Sequence, residues 1–153
     1  MSRASAAAAA GLAAATITAC GSGPSLSDYK KGFQTDKAQF TQLGSALSTT
    51  LQQAGRSSDV VLAGQFSSLA SRASQQAAQL RKLKPPSKYK SQNDQLASGF
   101  DTVAADMRSL AIAVGAHNAT TARAGTRKLL QDAASLKSVD RSLTSSLGLP
   151  QTS

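Results

Sequence analysis

The residues best suited to chemistry in this sequence are few: one histidine, one cysteine and two methionines. His117 and Met107 have the side chains of an axial pair for haem iron. Met107 lies ten residues before His117, about 15 Å away along a helix, so the two cannot approach one iron from opposite sides. A zinc site needs three or four His, Cys or acidic ligands, more than one histidine and scattered aspartates supply. We therefore interpret His117 as part of a turn at a helix end.

Motifs for catalysis or cofactor binding do not occur. Glutamate is absent and all eight acidic residues are aspartate, which excludes a di-iron site built from Glu and Glu-x-x-His in a helical bundle. The sequence contains no Gly-x-Ser-x-Gly elbow, no phosphate-binding Gly-x-x-x-x-Gly-Lys loop and no Gly-x-Gly-x-x-Gly fingerprint. We expect no enzymatic activity, no cofactor and no metal.

The lone cysteine, Cys20, closes the segment Ile17-Thr18-Ala19-Cys20. This segment follows a short basic start, Met1-Ser2-Arg3, and an alanine-rich apolar run, which together have the form of an export signal. Ile17-Thr18-Ala19-Cys20 resembles the lipobox of bacterial lipoproteins. The resemblance implies a signal peptide over residues 1–19, cleavage before Cys20, and a diacylglycerol on its thiol. It also implies a lipid-anchored protein on the extracytoplasmic face of the cell membrane.

Two other interpretations of this segment stay open. An ordinary signal peptide cut within residues 6–15 would leave Cys20 as a free thiol. An odd cysteine in a secreted protein calls for a partner or a modification, and acylation supplies one. A membrane-spanning helix is less favoured, because the apolar run falls short of the ~20 residues needed to cross a bilayer and consists mainly of alanine.

Four amphipathic stretches follow a Gly- and Ser-rich tether at residues 20–26. In each stretch apolar residues recur every three or four positions, which is typical of a helix with one buried face. The third stripe is the most regular and comprises Tyr89, Asn93, Leu96, Phe100, Val103, Met107, Leu110 and Val114. The fourth is sparser and comprises Ala122, Leu129, Ala133, Leu136, Leu143 and Leu147.

Glycine, proline and capping residues predict where these helices end. Gly55, Pro85-Pro86, residues 115–118 and Gly148-Leu149-Pro150 interrupt the pattern. The expected helices cover residues 27–54, 58–84, 86–116 and 118–147, with a tail over 149–153. Short connections between long helices predict an all-α protein with a single up-down-up-down four-helix bundle over 27–148.

Small residues dominate the predicted core, so we expect the helices to pack closely around a thin core. Gly44, Gly64, Gly99 and Gly125 fall inside the predicted helices, where each costs roughly 1 kcal/mol relative to alanine. They either permit close contact between helices or simply weaken them. A tightly packed core argues against a large ligand cavity.

A basic cluster, Arg81, Lys82, Lys84, Lys88 and Lys90, surrounds the expected turn between the second and third helices. Cations at a helix C-terminus complement the helix dipole, which is one explanation. Up-down topology offers another, because it brings this turn to the anchored end of the bundle. That half of the predicted bundle carries ten basic residues against four aspartates, and the far half six against four. The charge favours anionic lipid headgroups or wall polymers as partners, and export makes nucleic acid the least favoured.

The sequence as a whole predicts a non-enzymatic cell-envelope lipoprotein that acts as a membrane-tethered helical binding or interaction module, with an unknown protein as one possible class of partner. The turn Leu83-Lys84-Pro85-Pro86 followed by a long amphipathic helix resembles small helical lipoproteins of high-GC Gram-positive bacteria. That resemblance implies no functional residue beyond Cys20. The alternative function is a carrier that holds a small apolar ligand within the bundle.

Overall fold

The computed structural model describes residues 25–151. The predicted signal peptide, Cys20 and most of the predicted tether lie outside the described residues. The described chain forms four α-helices joined by short turns: α1 (Leu26–Gln53), α2 (Asp59–Lys82), α3 (Ser87–Gly115) and α4 (Ala119–Ser146). The predicted all-α four-helix bundle is confirmed, and the helix ends differ from the expected ones by at most two residues. No helix in this range is long and apolar enough to cross a membrane.

Side-chain caps explain where three of the helices begin. The hydroxyl of Ser25 accepts a hydrogen bond from the backbone N–H of Asp28, and Ser58 caps α2 in the same way. The side-chain oxygen of Asn118 accepts from the N–H of Thr121 at 3.0 Å. Each bond satisfies an amide that the first turn of a helix leaves free.

The ends of α3 and α4 both reverse through a residue with positive φ. His117 has φ 54° after α3, and Gly148 has φ 65° after α4. The N–H of Leu149 then donates to the carbonyl of Thr144 at 3.0 Å, which is the bond pattern of a Schellman cap. This cap turns the C-terminal residues back along the bundle.

Neighbouring helices in the chain pack against each other, and one side of the bundle stays open. Helix α1 lies against α2, α2 against α3, and α3 against α4. Both α1 and α4 are fully described, yet no Cα atom of one comes within 8 Å of a Cα atom of the other. The fourth side, which a closed bundle would fill by contact between its first and last helices, is therefore a gap.

The expected thin core is found between α2 and α3. Fully buried alanines on both helices let their backbones approach closely; they are Ala70, Ala73, Ala77, Ala97 and Ala104. The expectation of close packing throughout is wrong for α4, which buries only Leu129, Leu143 and Thr144. Ala133 and Leu136 in its middle are half-buried, because no Cα atom of α1 comes within 8 Å of a Cα atom of α4.

The glycines inside the helices fall into two groups. A Cβ atom on Gly99 would lie 2.8 Å from Cδ1 of Leu136, so this glycine permits close contact between α3 and α4. A Cβ atom on Gly44 or Gly64 would meet nothing within 4 Å. At those two positions no neighbouring helix requires a glycine, and the residue only lowers the intrinsic stability of its own helix.

A buried polar network holds the end of the bundle where α1 begins. The Tyr29 hydroxyl donates to the side-chain oxygen of Asn93 at 3.1 Å, and the Asn93 amide donates to the carbonyl of Leu80 at 3.0 Å. Burial raises the pKa of the Tyr29 phenol above its ordinary value, so the hydroxyl stays a donor. Three helices are joined at this point by two hydrogen bonds.

Candidate functional site

The gap between α1 and α4 forms an apolar groove of about 720 Å³. Helix α1 supplies one wall, α4 supplies the other, and α3 forms the floor. The apolar lining consists of Phe40, Leu43, Leu47, Leu51, Phe100, Val103, Met107, Leu130, Ala133 and Leu136. From Lys37 to Gln52, the outermost α1 residues that line it, the helical rise gives a length of about 22 Å.

The sequence keeps this groove open because α4 is anchored on α3 rather than on α1. Leu136 reaches toward Gly99, where the missing side chain leaves room for it. On the other side, Phe40 reaches α3 directly, with its ring centroid 4.5 Å from that of Phe100. Each wall therefore contacts the floor, and the backbones of the two walls stay more than 8 Å apart between Cα atoms.

The groove is closed at the end nearest the start of α1. The Lys37 ammonium donates to the Thr144 hydroxyl at 3.2 Å and to the carbonyl of Pro150 at 3.1 Å. The side-chain amide of Gln151 donates to the carbonyl of Arg141 at 3.2 Å. The two Lys37 bonds cross the gap between α1 and α4, and the Gln151 bond holds the reversed C-terminal residues against α4, so the groove has one blocked end.

Charged groups gather at this blocked end. Lys37, Lys137, Asp140 and Arg141 all line the groove there. Lys37 is only 7% exposed, whereas Lys137 and Arg141 are exposed. Burial raises the pKa of the Asp140 carboxyl, although Lys37 and a hydrogen bond with Thr144 act in the opposite direction. Three cations and one carboxylate give this end of the apolar groove a positive potential.

Only some residues of the predicted basic cluster lack an ion-pair partner within residues 25–151. Arg81 forms an ion pair with Asp101, and Lys90 forms one with Asp94 at 2.6 Å. The other three residues, Lys82, Lys84 and Lys88, are exposed and have no ion-pair partner within residues 25–151. We call these three lysines the basic turn.

The basic turn lies at the end of the bundle where α1 begins. The Tyr29 ring, near the start of α1, stacks on the Tyr89 ring at 6.2 Å between centroids. A Cβ atom on Gly32 of α1 would lie 2.8 Å from the side chain of Leu83, within the turn. The Lys88 ammonium lies 5.4 Å from the centre of the Tyr89 ring. The topology therefore brings the basic turn close to Ser25, the first described residue.

The opposite end of the bundle holds His117, in the turn that the sequence predicted. Its Nδ1 atom lies 2.5 Å from a carboxylate oxygen of Asp59, a partner that sequence reasoning did not find. Both side chains are exposed. No group of three His, Cys, Asp or Glu side chains suited to a metal occurs in the described part of the chain. This pair joins the α3–α4 turn to the start of α2.

Sequence reasoning did not identify the groove or the charged residues at its end. The sparse stripe of α4 was the available signal, because it offers only Ala133 and Leu136 between Leu129 and Leu143. Comparison with protein-family models, with curated proteins and with solved structures finds no significant match to this chain.

Proposed function

We propose that the protein is a non-enzymatic, lipid-anchored binding module of the cell envelope, and that it carries an apolar ligand in the groove between α1 and α4. The apolar groove itself is the observation that carries this proposal. Its volume of about 720 Å³ falls within the ~300–1,000 Å³ of ordinary small-molecule sites. This proposal adopts the carrier function. The sequence had made it the alternative, because a tightly packed core was expected to leave no room for a ligand.

Three features of the groove support a ligand site over a simple packing defect. Its walls come from helices that each have their own contacts with α3, so an empty groove does not require the bundle to collapse. One end is closed by hydrogen bonds from Lys37 and Gln151. The lining combines a long apolar surface with a few charged groups at one place, which is the usual composition of a site that orients its ligand.

The position of the basic turn supports attachment at a membrane surface. A chain tethered through Cys20 would have α1 begin near the lipid, and the basic turn lies at that same end. Each basic residue held near an anionic surface contributes about 1 kcal/mol, and this attraction falls off within a Debye length. The lipid would hold the protein at the membrane, and the basic turn would orient it there.

Filling the groove from α1 should abolish binding without harming the fold. Gly44 lines the groove and has open space where a side chain would start. We expect Gly44→Leu to reduce the affinity for Nile red, a neutral apolar dye, at least tenfold. The same change should raise the stability of the helix by up to about 1 kcal/mol, because leucine favours helix more than glycine does. Dye titration and thermal unfolding measure the two effects.

Gly64→Leu is the matched control for this experiment. Gly64 is also an exposed helical glycine with nothing within 4 Å of a Cβ atom, but it lies in α2 and does not line the groove. It should gain similar stability and bind the dye as the parent does. Equal dye binding by the parent and Gly44→Leu would refute the groove as the ligand site.

Charge reversal should show which end of the bundle binds anionic membranes. A form beginning at Ser25, without any lipid, should bind vesicles that contain anionic lipid, ignore neutral vesicles, and dissociate as salt rises. The triple variant Lys82→Glu, Lys84→Glu, Lys88→Glu should lose this binding in a vesicle co-sedimentation assay, because all three lysines are exposed at the end that would face the membrane.

The matched control reverses Arg56, Arg123 and Arg127, which have no ion-pair partner within residues 25–151 and belong to the opposite half. Lys128 is unsuitable, because its ammonium pairs with Asp106 at 2.6 Å and with Asp132 at 2.7 Å. The control should bind nearly as well as the parent. Equal loss in both triple variants would mean that only net charge matters and that no membrane-facing end exists.

A further inference from the structure

Lys37 is a buried cation that forms no salt bridge within residues 25–151. It is 7% exposed, and lysine is seldom buried to this degree unless it is paired. Its two hydrogen-bond acceptors, the Thr144 hydroxyl and the Pro150 carbonyl, are both neutral. No carboxylate of residues 25–151 lies within 4 Å of its ammonium group. Asp140 acts on Lys37 only by charge attraction without direct contact, so no carboxylate of residues 25–151 bonds directly to this buried ammonium group.

The surroundings of Lys37 define where a ligand anion would bind. An ammonium group has three donors, and two of them are used by Thr144 and Pro150. Lys37 is also part of the groove lining, so its remaining donor is available to a ligand at the blocked end. Lys137 and Arg141 line the same end and add positive charge to it.

We propose that the ligand is the anion of a long-chain fatty acid, with its carboxylate bound to Lys37 and its hydrocarbon chain lying along the groove. This inference rests on the proposed function and adds the chemical class of the ligand. The groove extends for about 22 Å from Lys37 to Gln52 by the helical rise, and its apolar residues on α1, from Phe40 to Leu51, cover about 16 Å of it, which suits one extended chain. The C-terminal residues close the groove beyond Lys37, which favours a headgroup as compact as a carboxylate.

The charge balance at the blocked end also selects against other amphiphiles. Three cations outnumber Asp140 there, so a cationic headgroup would be repelled. A neutral alcohol would give Lys37 no direct ion pair. Asp140 has one buried side-chain oxygen without a hydrogen-bond partner, which keeps that corner polar and marks where the hydrocarbon chain cannot extend.

The test uses the full-length chain with Cys20→Ser, which should carry no acyl chain of its own to compete for the groove. Laurate, dodecanol and dodecyltrimethylammonium share one chain length and differ in headgroup charge. Each is titrated against bound Nile red. We expect laurate to displace the dye at a concentration at least tenfold lower than dodecanol does. Dodecyltrimethylammonium should need the highest concentration of the three.

Lys37→Met keeps an unbranched side chain only one atom shorter and removes its charge. It should lower the affinity for laurate at least tenfold and leave dodecanol binding unchanged. Because Lys37 also holds Thr144 and Pro150, Thr144→Val serves as the control that removes one of these hydrogen bonds and keeps the charge. Thr144→Val should retain the preference for laurate. The double variant Lys137→Gln, Arg141→Gln, which changes only exposed side chains, should weaken laurate binding by a smaller factor.

The outcomes distinguish this inference from the proposed function. Equal binding of laurate and dodecanol, with no effect of Lys37→Met, would overturn the fatty-acid assignment and leave an apolar carrier. Loss of laurate binding in Thr144→Val to the same extent as in Lys37→Met would also overturn it, because the bridge to α4 would then be the cause. Failure of every probe, including Nile red, to bind would overturn the proposed function itself.

Discussion

Leu110→Ala should lower the free energy of unfolding by about 2–5 kcal/mol, the range found when a buried leucine is truncated and leaves a cavity. Leu110 is 1% exposed and lies in α3, the helix that contacts both α2 and α4. Its side chain reaches Gly125 of α4, where a Cβ atom would lie 3.6 Å from Cδ1 of Leu110. The change removes buried surface at the interface between α3 and α4.

Chemical denaturation measures this effect, and Gln75→Ala is its control. Gln75 is an exposed residue of α2, so its truncation should change stability by less than about 0.5 kcal/mol. A loss of several kcal/mol is a large part of the 5–15 kcal/mol that a small domain has in total. Equal shifts for the two variants would mean that the buried face of the bundle has been assigned incorrectly.

The fold was predictable because local signals and periodicity agreed along the whole chain. The third stripe alternates by three and four residues, and all eight of its members are buried. Side-chain N-caps begin helices at Ser58 and Asn118, and a glycine with positive φ ends one at Gly148. A helix end depends on a few neighbouring residues, so the sequence contains the information directly.

The groove was not predictable in the same way, because it depends on which helices cover each other's apolar faces. Periodicity shows that Leu43, Leu47 and Leu136 belong to apolar faces, but it does not show whether another helix covers them. The fit of Leu136 against Gly99 keeps α4 on α3, and that fit joins residues from two separate helices. The burial of Lys37 likewise follows from the reversed tail, which no pattern around Lys37 indicates.

The basic cluster shows how pairing changes a prediction made from charge alone. Five neighbouring cations look equivalent in the sequence. Arg81 and Lys90 are partly neutralised by Asp101 and Asp94 on α3, so the free charge is confined to the basic turn. Lys90 and Asp94 pair because they lie four residues apart on α3, whereas Arg81 and Asp101 pair because α2 packs on α3.

Cys20→Ser should abolish incorporation of labelled fatty acid and release the protein from the membrane fraction. The thiol is the only group in the lipobox-like segment that can take the diacylglycerol, and serine offers no thiol in its place. Cys20 lies outside the described residues, so this expectation depends on the sequence segment Ile17-Thr18-Ala19-Cys20. Metabolic labelling and detergent-phase partitioning measure the two effects.

The fold should survive this change, because the contacts described between the four helices lie within residues 25–151. Circular dichroism and the unfolding temperature of Cys20→Ser should therefore match those of the parent. Ser22→Ala, a change two residues away that keeps the thiol, should label and partition as the parent does. If Cys20→Ser still partitions fully into detergent, the protein is held by something other than lipid on Cys20. If the parent takes up no fatty acid and both proteins are secreted, the segment is an ordinary signal peptide and Cys20 is a free thiol.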